Sequence, residues 1–229
     1  MVVFFPFNFL IWLLVYPFDR DKLVIHWLLI HQSLLLTWLI PIWNIDIEGK
    51  GKAVKGTTYV IISNHQSILD ILLLDSLLYR FKWISKIENI KMPVLGWYIR
   101  MAGYITVNRG NDESKADMLD KSYRYLKKGT SIMIFPEGTR SLDKEIGFYK
   151  RGAFQLALEA RVSILPVLID GTGDILPKHG MIFSSRHHIK IRVLDPVHYE
   201  SFLQDTPEEL ALKFSSMMTR ELKELRSNY

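Results

Sequence analysis

The chain has 229 residues, 48% of them hydrophobic, with 29 Lys and Arg against 24 Asp and Glu for a formal charge of +5. That length can bury a sizeable core, as one large domain or as a domain with an appendage. The absence of cysteine excludes disulfides, thiolate metal sites and cysteine nucleophiles.

The positive charge is unevenly placed. From Arg80 to Arg151 there are fifteen basic and eight acidic residues, a surplus of +7, which leaves the remainder at −2. A basic middle suits an anionic substrate or surface. Nucleic acid would also fit the charge. No nucleic-acid module is recognisable, however, and the basic residues do not interleave with aromatics on a strand pattern, so no nucleic acid is expected.

Residues 2–18 are nearly all apolar, Asp19-Arg20-Asp21-Lys22 makes a polar break, and residues 23–43 are apolar again. No basic stretch precedes the first run and no small-residue cleavage site follows it, so a secretory signal is not expected. As helices the runs would measure roughly 25 Å and about 32 Å, against a hydrocarbon core of ~30 Å. His26, Ser33 and Thr37 share one stripe of the second run, which suits a helix lying in an interface or against protein. Trp12, Tyr16, Trp27, Trp38 and Trp43 are side chains that favour the headgroup level. Residues 1–44 are therefore expected to form a membrane-associated helical hairpin, and residues 45–229 the globular domain. Two buried core helices are the alternative.

Trp43–Glu48 alternates as a strand, and Gly49-Lys50-Gly51-Lys52 reads as a turn. Strands are then predicted at Tyr59–Ser63, Lys82–Ser85, Tyr104–Val107, Ser131–Phe135, Ser163–Ile169 and His188–Leu194. Helices are predicted at Ile68–Tyr79, from Met92, and over Ser114–Lys128, Ala153–Ala160 and about 206–225. The last opens on Thr206-Pro207-Glu208-Glu209, which supplies an N-cap, an N1 proline and a capping-box glutamate. Strands alternating with helices predict an α/β fold with a mixed, mostly parallel sheet flanked by helices.

In such folds ligands gather at the carboxyl ends of the strands. One predicted strand end carries Ser63-Asn64-His65-Gln66-Ser67-Ile68-Leu69-Asp70. A histidine with a carboxylate five residues later can be a general base and its orienting partner. Positions five apart on one continuous helix point about 140° apart. The two side chains can meet only if His65 sits in a turn and Asp70 in the first turn of the helix that follows. A loop histidine beside a helix-capping aspartate is the plain alternative. A second strand end carries Arg109, a residue that by itself is more often a surface or salt-bridge arginine. A third carries Pro136-Glu137-Gly138-Thr139-Arg140-Ser141, where Gly138 and Thr139 offer N–H groups and a hydroxyl without bulk and Arg140 can grip phosphate. Glu137 beside Arg140 is expected to hold the guanidinium or to position an acceptor. Three such strand ends together carry more weight than any one of them.

These stretches are similar to blocks of a known family. Asn64 to Asp70 resembles the histidine-x4-aspartate motif of the glycerolipid acyltransferases, and Phe135 to Ser141 resembles their Phe-Pro-Glu-Gly-Thr-Arg-Ser block. Gly103 to Arg109 looks like their arginine-terminated block, and Ile164-Leu165-Pro166-Val167 like their proline-centred strand. Order and spacing agree over roughly residues 45–195. The likeness is greatest to the members that acylate lysophosphatidic acid. The resemblance implies that His65, oriented by Asp70, deprotonates the lysophospholipid hydroxyl, which attacks the thioester of acyl-CoA or acyl-carrier protein. It implies that Arg109 and Arg140, with Gly138 and Thr139, bind the acceptor phosphate, with Lys86 and Lys150 as further candidates for that anion or the donor's phosphates. It also implies a place at the inner or cytoplasmic membrane, with the site facing the cytoplasm. No cofactor is expected, and no metal, since no His-Glu-x-x-His occurs and His187 and His188 would point to opposite faces of a strand. A different lysolipid acceptor, a lipid A precursor, or a membrane-tethered protein that holds anionic lipid without turnover are the other readings.

Overall fold

The computed structural model describes residues 3–40, 43–178 and 187–227; Val2, Pro41 and Ile42 of the apolar leader lie outside the described residues. Two apolar helices come first, α1 (Phe5–Val15) and α2 (Leu23–Trp38). Pro6 sits in the first turn of α1, where a missing N–H costs nothing. The polar break becomes the hairpin turn, and Asp19 caps α2 by accepting from the N–H groups of Leu23 at 2.9 Å and Val24 at 2.8 Å. Both helices are shorter than their apolar runs. Apolarity continues past the last helical turn of α2, but Pro41 stands two residues beyond its C-cap Leu39. No helix among the described residues is long and apolar enough to cross a membrane.

Among the described residues seven strands follow: β1 (Trp43–Glu48), β2 (Tyr59–Ser63), β3 (Phe81–Lys86), β4 (Ile105–Val107), β5 (Ser131–Ile134), β6 (Ser163–Asp170) and β7 (His187–Val193). Between and after them come α3 (Leu69–Asp75), α4 (Leu95–Met101), α5 (Asp112–Lys127), α6 (Gly152–Ala160), α7 (Thr172–Ile175) and α8 (Pro207–Ser227). They build one sheet in the order β1-β7-β6-β2-β5-β3-β4. Among the described residues only the β6–β7 strand pairing is antiparallel, apart from an isolated antiparallel bridge between Ile164 and Val197; β6, β2, β5, β3 and β4 all run the same way. The α/β class and the mixed, mostly parallel sheet are as expected from the sequence.

The strands of period two sort the core into layers. Val60 and Ile62 face α5, α6 and α8, in a cluster that includes Leu126, Phe154, Phe214 and Met218. Tyr59, Ile61, Phe81 and Trp83 face the other way, with Leu73, Leu74 and Leu77 of α3. Lys82, between Phe81 and Trp83, is fully buried and donates to the carbonyls of Lys22 at 2.8 Å and Ala102 at 2.6 Å. Burial pulls its pKa down to about 7. The stripe of His26, Ser33 and Thr37 lies against protein, since all three are buried and Ser33 donates to Asp75 at 3.0 Å. A third cluster joins α2 to α4 through Ile25, Leu29, Tyr98 and Met101. Asn8 locks α1 into it, with a reciprocal amide pair to Gln32 and a bond to the Tyr98 hydroxyl.

Asp75 ends α3 wholly buried, its carboxylate accepting from Ser33 and from Trp83 Nε1 at 3.0 Å. Burial pushes its pKa up to about 7, against those two hydrogen bonds. The folded chain thus holds a proton that the unfolded chain, near 3.8, has released. With more protons bound in the folded state, stability falls as pH rises from about 4 to about 7. Asp75→Asn cannot ionise, so its unfolding midpoint is expected to lose less over that range than wild type. Equal slopes in the two proteins would contradict the assignment.

Candidate active site

Because five strands run the same way, the segments leaving β2, β3, β4, β5 and β6 all emerge at one edge of the sheet. They deliver His65, Lys86, Arg109, the 135–140 loop and Asp170 to one region. A cavity of about 920 Å³ opens there, with His65, Arg109, Gly138, Thr139, Arg140, Lys86 and Lys150 in its lining.

His65 lies in the turn after β2, and Asp70 is the second residue of α3. This turn-then-helix arrangement brings His65 Nδ1 to 2.8 Å from Asp70 Oδ2. The same oxygen accepts the backbone N–H groups of Gln66 at 2.7 Å and Ser67 at 2.9 Å, and Oδ1 accepts from the Thr172 hydroxyl at 2.5 Å. Asp70 is fully buried and does not face the cavity. An acceptor so placed assigns the ring proton to Nδ1, leaving the Nε2 lone pair free to take a proton. The imidazole stacks on Phe135, with centroids 3.8 Å apart and planes at 8°, and Phe135 stacks in turn on Trp83. Ring orientation is therefore held from the side as well as from the Nδ1 edge.

The sequence neighbours of His65 tie the turn to the sheet. Asn64 pairs with the main chain of Ile169 in both directions, at 2.8 and 2.9 Å. Glu137 is buried and turned away from the cavity. It accepts the backbone N–H of His65 at 3.0 Å and that of Gly147 at 3.3 Å. Burial pushes its pKa up to about 7, against these two bonds. The expected grip on Arg140 is thus not where the structure places this carboxylate: it bridges two loops by their backbones. The carbonyl of His65 completes the link by accepting from the N–H of Ser141 at 2.8 Å.

Gly138 has φ +70°, and a Cβ there would lie 3.0 Å from Lys150 Nζ. A side chain would be strained in that backbone region and would displace the ammonium from the loop. Arg140 and Lys150 consequently face one cavity wall, joined by Lys178, whose Nζ donates to the Arg140 carbonyl at 2.8 Å. Arg109 and Lys86 stand on the β3–β4 side, with Glu88 3.2 Å from Lys86 Nζ. Away from this basic rim the lining becomes apolar, through Ile68, Ile71, Trp83, Leu95, Ile99 and Leu29. Lys178 carried no signal in the sequence. Thr172 did have one, since it sits between two glycines directly after a predicted strand. Among the described residues no group of three His, Cys, Asp or Glu side chains could hold a metal ion.

A base with a fixed tautomer thus faces a chamber that is cationic at one end and apolar at the other. The profile of the acyltransferase family matches residues 44–170, and the chain belongs to that family. It is 37% identical over 173 residues to the chloroplastic 1-acyl-sn-glycerol-3-phosphate acyltransferase LPAT1 of Arabidopsis thaliana, covering 73% of this chain and 49% of that one. It is 33% identical over 187 residues to the 1-acyl-sn-glycerol-3-phosphate acyltransferase of Saccharomyces cerevisiae, covering 80% of this chain and 61% of that one. The chain spans about half the length of the plant relatives it matches. The crystal structure of the lysophosphatidic acid acyltransferase PlsC from Thermotoga maritima superposes with a TM-score of 0.80 at 26% identity, covering 100% of this chain and 92% of that one.

Proposed function

We propose that the chain is a 1-acylglycerol-3-phosphate O-acyltransferase, which moves a fatty acyl group from acyl-CoA or acyl-carrier protein to the sn-2 hydroxyl of lysophosphatidic acid. The observation that carries this reading is His65, oriented by the buried Asp70, in one cavity with the arginines of two other strand ends. His65 Nε2 takes the hydroxyl proton as the oxygen attacks the thioester carbonyl. The C–S bond then breaks, the ester remains on the lipid, and the thiol leaves with the proton returned by His65. Asp70 stabilises the imidazolium between these steps. Arg109 and Arg140, with Gly138 and Thr139, hold the acceptor phosphate, and Lys86 and Lys150 add charge for it or for the donor's phosphates. The apolar end of the cavity takes the hydrocarbon chain.

The hairpin supports a membrane setting for this chemistry. Phe7, Leu10, Leu13 and Leu14 of α1 and Trp27, Leu34, Leu35 and Trp38 of α2 are exposed. Phe5 and Phe9 pack edge-on against Trp97 of α4, so this apolar surface is continuous with the catalytic domain. A patch of this kind fits a helix pair lying in one leaflet. Acyl-CoA and acyl-carrier protein are water-soluble, so on this reading the site faces the aqueous compartment that supplies them, the cytoplasm.

The test is acyl transfer from labelled acyl-CoA to lysophosphatidic acid in vesicles that are afterwards floated. Labelled phosphatidic acid and protein in the floated fraction are expected. Binding of lysolipid without product, or protein left in the aqueous phase, would contradict the respective part. Arg140→Ala is expected to raise the KM for the phosphate-bearing acceptor about 10- to 100-fold, the scale of a lost charge-assisted contact. An unchanged KM would refute its role.

A further inference from the structure

We infer that Arg226, in the last turn of α8, is a positioning residue for the His65–Asp70 pair; this rests on the acyl-transfer reading above. Its guanidinium grips Asp170 at the end of β6, with Nε 3.2 Å from both carboxylate oxygens and Nη2 3.0 Å from Oδ1. Nη1 lies 2.6 Å from Glu145 Oε1, and Nη2 also donates to the Lys144 carbonyl at 2.8 Å. Asp170 Oδ1 in turn accepts from Gln66 Nε2 at 2.8 Å. The backbone N–H of Gln66 donates to Asp70 Oδ2, the oxygen that orients His65. One carboxylate and one glutamine thus separate Arg226 from the orienting acid.

A second arm runs through the loop that follows Arg140. Its start is tied to the base, since the Ser141 N–H donates to the His65 carbonyl. Three residues on, Lys144 holds φ +67°, a backbone region that non-glycine residues occupy only when their surroundings impose it. The surroundings here are two donors on its carbonyl, Arg226 Nη2 at 2.8 Å and Gln66 Nε2 at 3.3 Å, and an ion pair from its own Nζ to Asp174. Arg226 therefore fastens both Gln66, the residue that follows His65, and the loop whose Ser141 N–H binds the His65 carbonyl. A planar fork with five donors can serve Asp170, Glu145 and a carbonyl at once, whereas an ammonium on a flexible stem cannot. None of these partners lines the cavity, so the contact with substrate is indirect.

The experiment compares kcat and KM of the full chain in the vesicle assay for wild type, Arg226→Met, Arg226→Lys and His65→Ala. Arg226→Met is expected to lower kcat about tenfold, since small misplacement of a base is costly, while both KM values stay within about twofold. Arg226→Lys, which keeps the charge opposite Asp170 but not the fork, is expected to recover part of that loss. Circular dichroism at the assay temperature reports the folded fraction. A wild-type kcat in Arg226→Met, or a kcat that falls only in step with folded protein in both variants, overturns the inference. Where Arg226→Met does not fold, the kcat and KM of Arg226→Lys decide by the same criteria. Full activity in His65→Ala would instead overturn the role given to His65, and absence of product with wild type would sink the acyl-transfer reading itself, so the failures are told apart.

Discussion

Replacing His65 with alanine is expected to lower kcat by about 10³- to 10⁴-fold, the upper range for loss of a general base. That corresponds to about 4–5.5 kcal/mol of transition-state stabilisation. The fold is expected to survive. The imidazole already borders the cavity, so its removal enlarges an existing space rather than opening a void in the core. The stack on Phe135 is lost, at a cost of about 1 kcal/mol. Asp70 keeps three of its four donors, from Gln66, Ser67 and Thr172. Steady-state kinetics with circular dichroism checks both halves, and a variant with more than a tenth of wild-type kcat would refute the assignment.

The second large effect is expected for Asp70→Asn, at about 10²- to 10³-fold in kcat, the scale of losing a buried counter-charge. The amide oxygen must take the place of Oδ2, because two backbone N–H groups point there. It can still accept from His65 Nδ1, so the tautomer survives. The amide nitrogen falls opposite Thr172, whose hydroxyl can turn to accept from it. What disappears is the negative charge beside the imidazolium formed during the reaction. The loss should therefore appear in kcat and leave acceptor KM little changed. Activity within threefold of wild type would show that Asp70 serves only to cap α3.

Much of this was legible from residue patterns, and the exceptions have physical causes. Tyr59–Ser63 reads as a buried parallel strand because its apolar run is sharply bounded, and it is found with those limits. The capping box at Thr206 forms as its spacing requires, with the Thr206 N–H on Glu209 Oε2 and the Glu209 N–H on Thr206 Oγ1. Helix geometry set the condition under which His65 and Asp70 can meet, and the turn before α3 fulfils it. Helix α3 is shorter than its apolar pattern, ending at Asp75 rather than Tyr79. Glu137 could not be read from its neighbour Arg140, because a turn carries adjacent side chains to opposite sides and only long-range backbone donors select the inward one. Lys82 breaks no apolar run in a way that marks a core position, and its two carbonyl partners come from distant segments. Arg226 was invisible for the same reason, as one of many charges on an amphipathic helix. Strand order is a matter of tertiary pairing and left no local trace.

The most direct measurement is acyl transfer to lysophosphatidic acid by His65→Ala titrated with free imidazole, which can enter the space beside Phe135 and replace the missing base. Negligible turnover without imidazole is predicted, with product formation rising with imidazole concentration and fading as the added base is protonated at lower pH. Turnover by His65→Ala at the wild-type rate with no imidazole present would contradict the account.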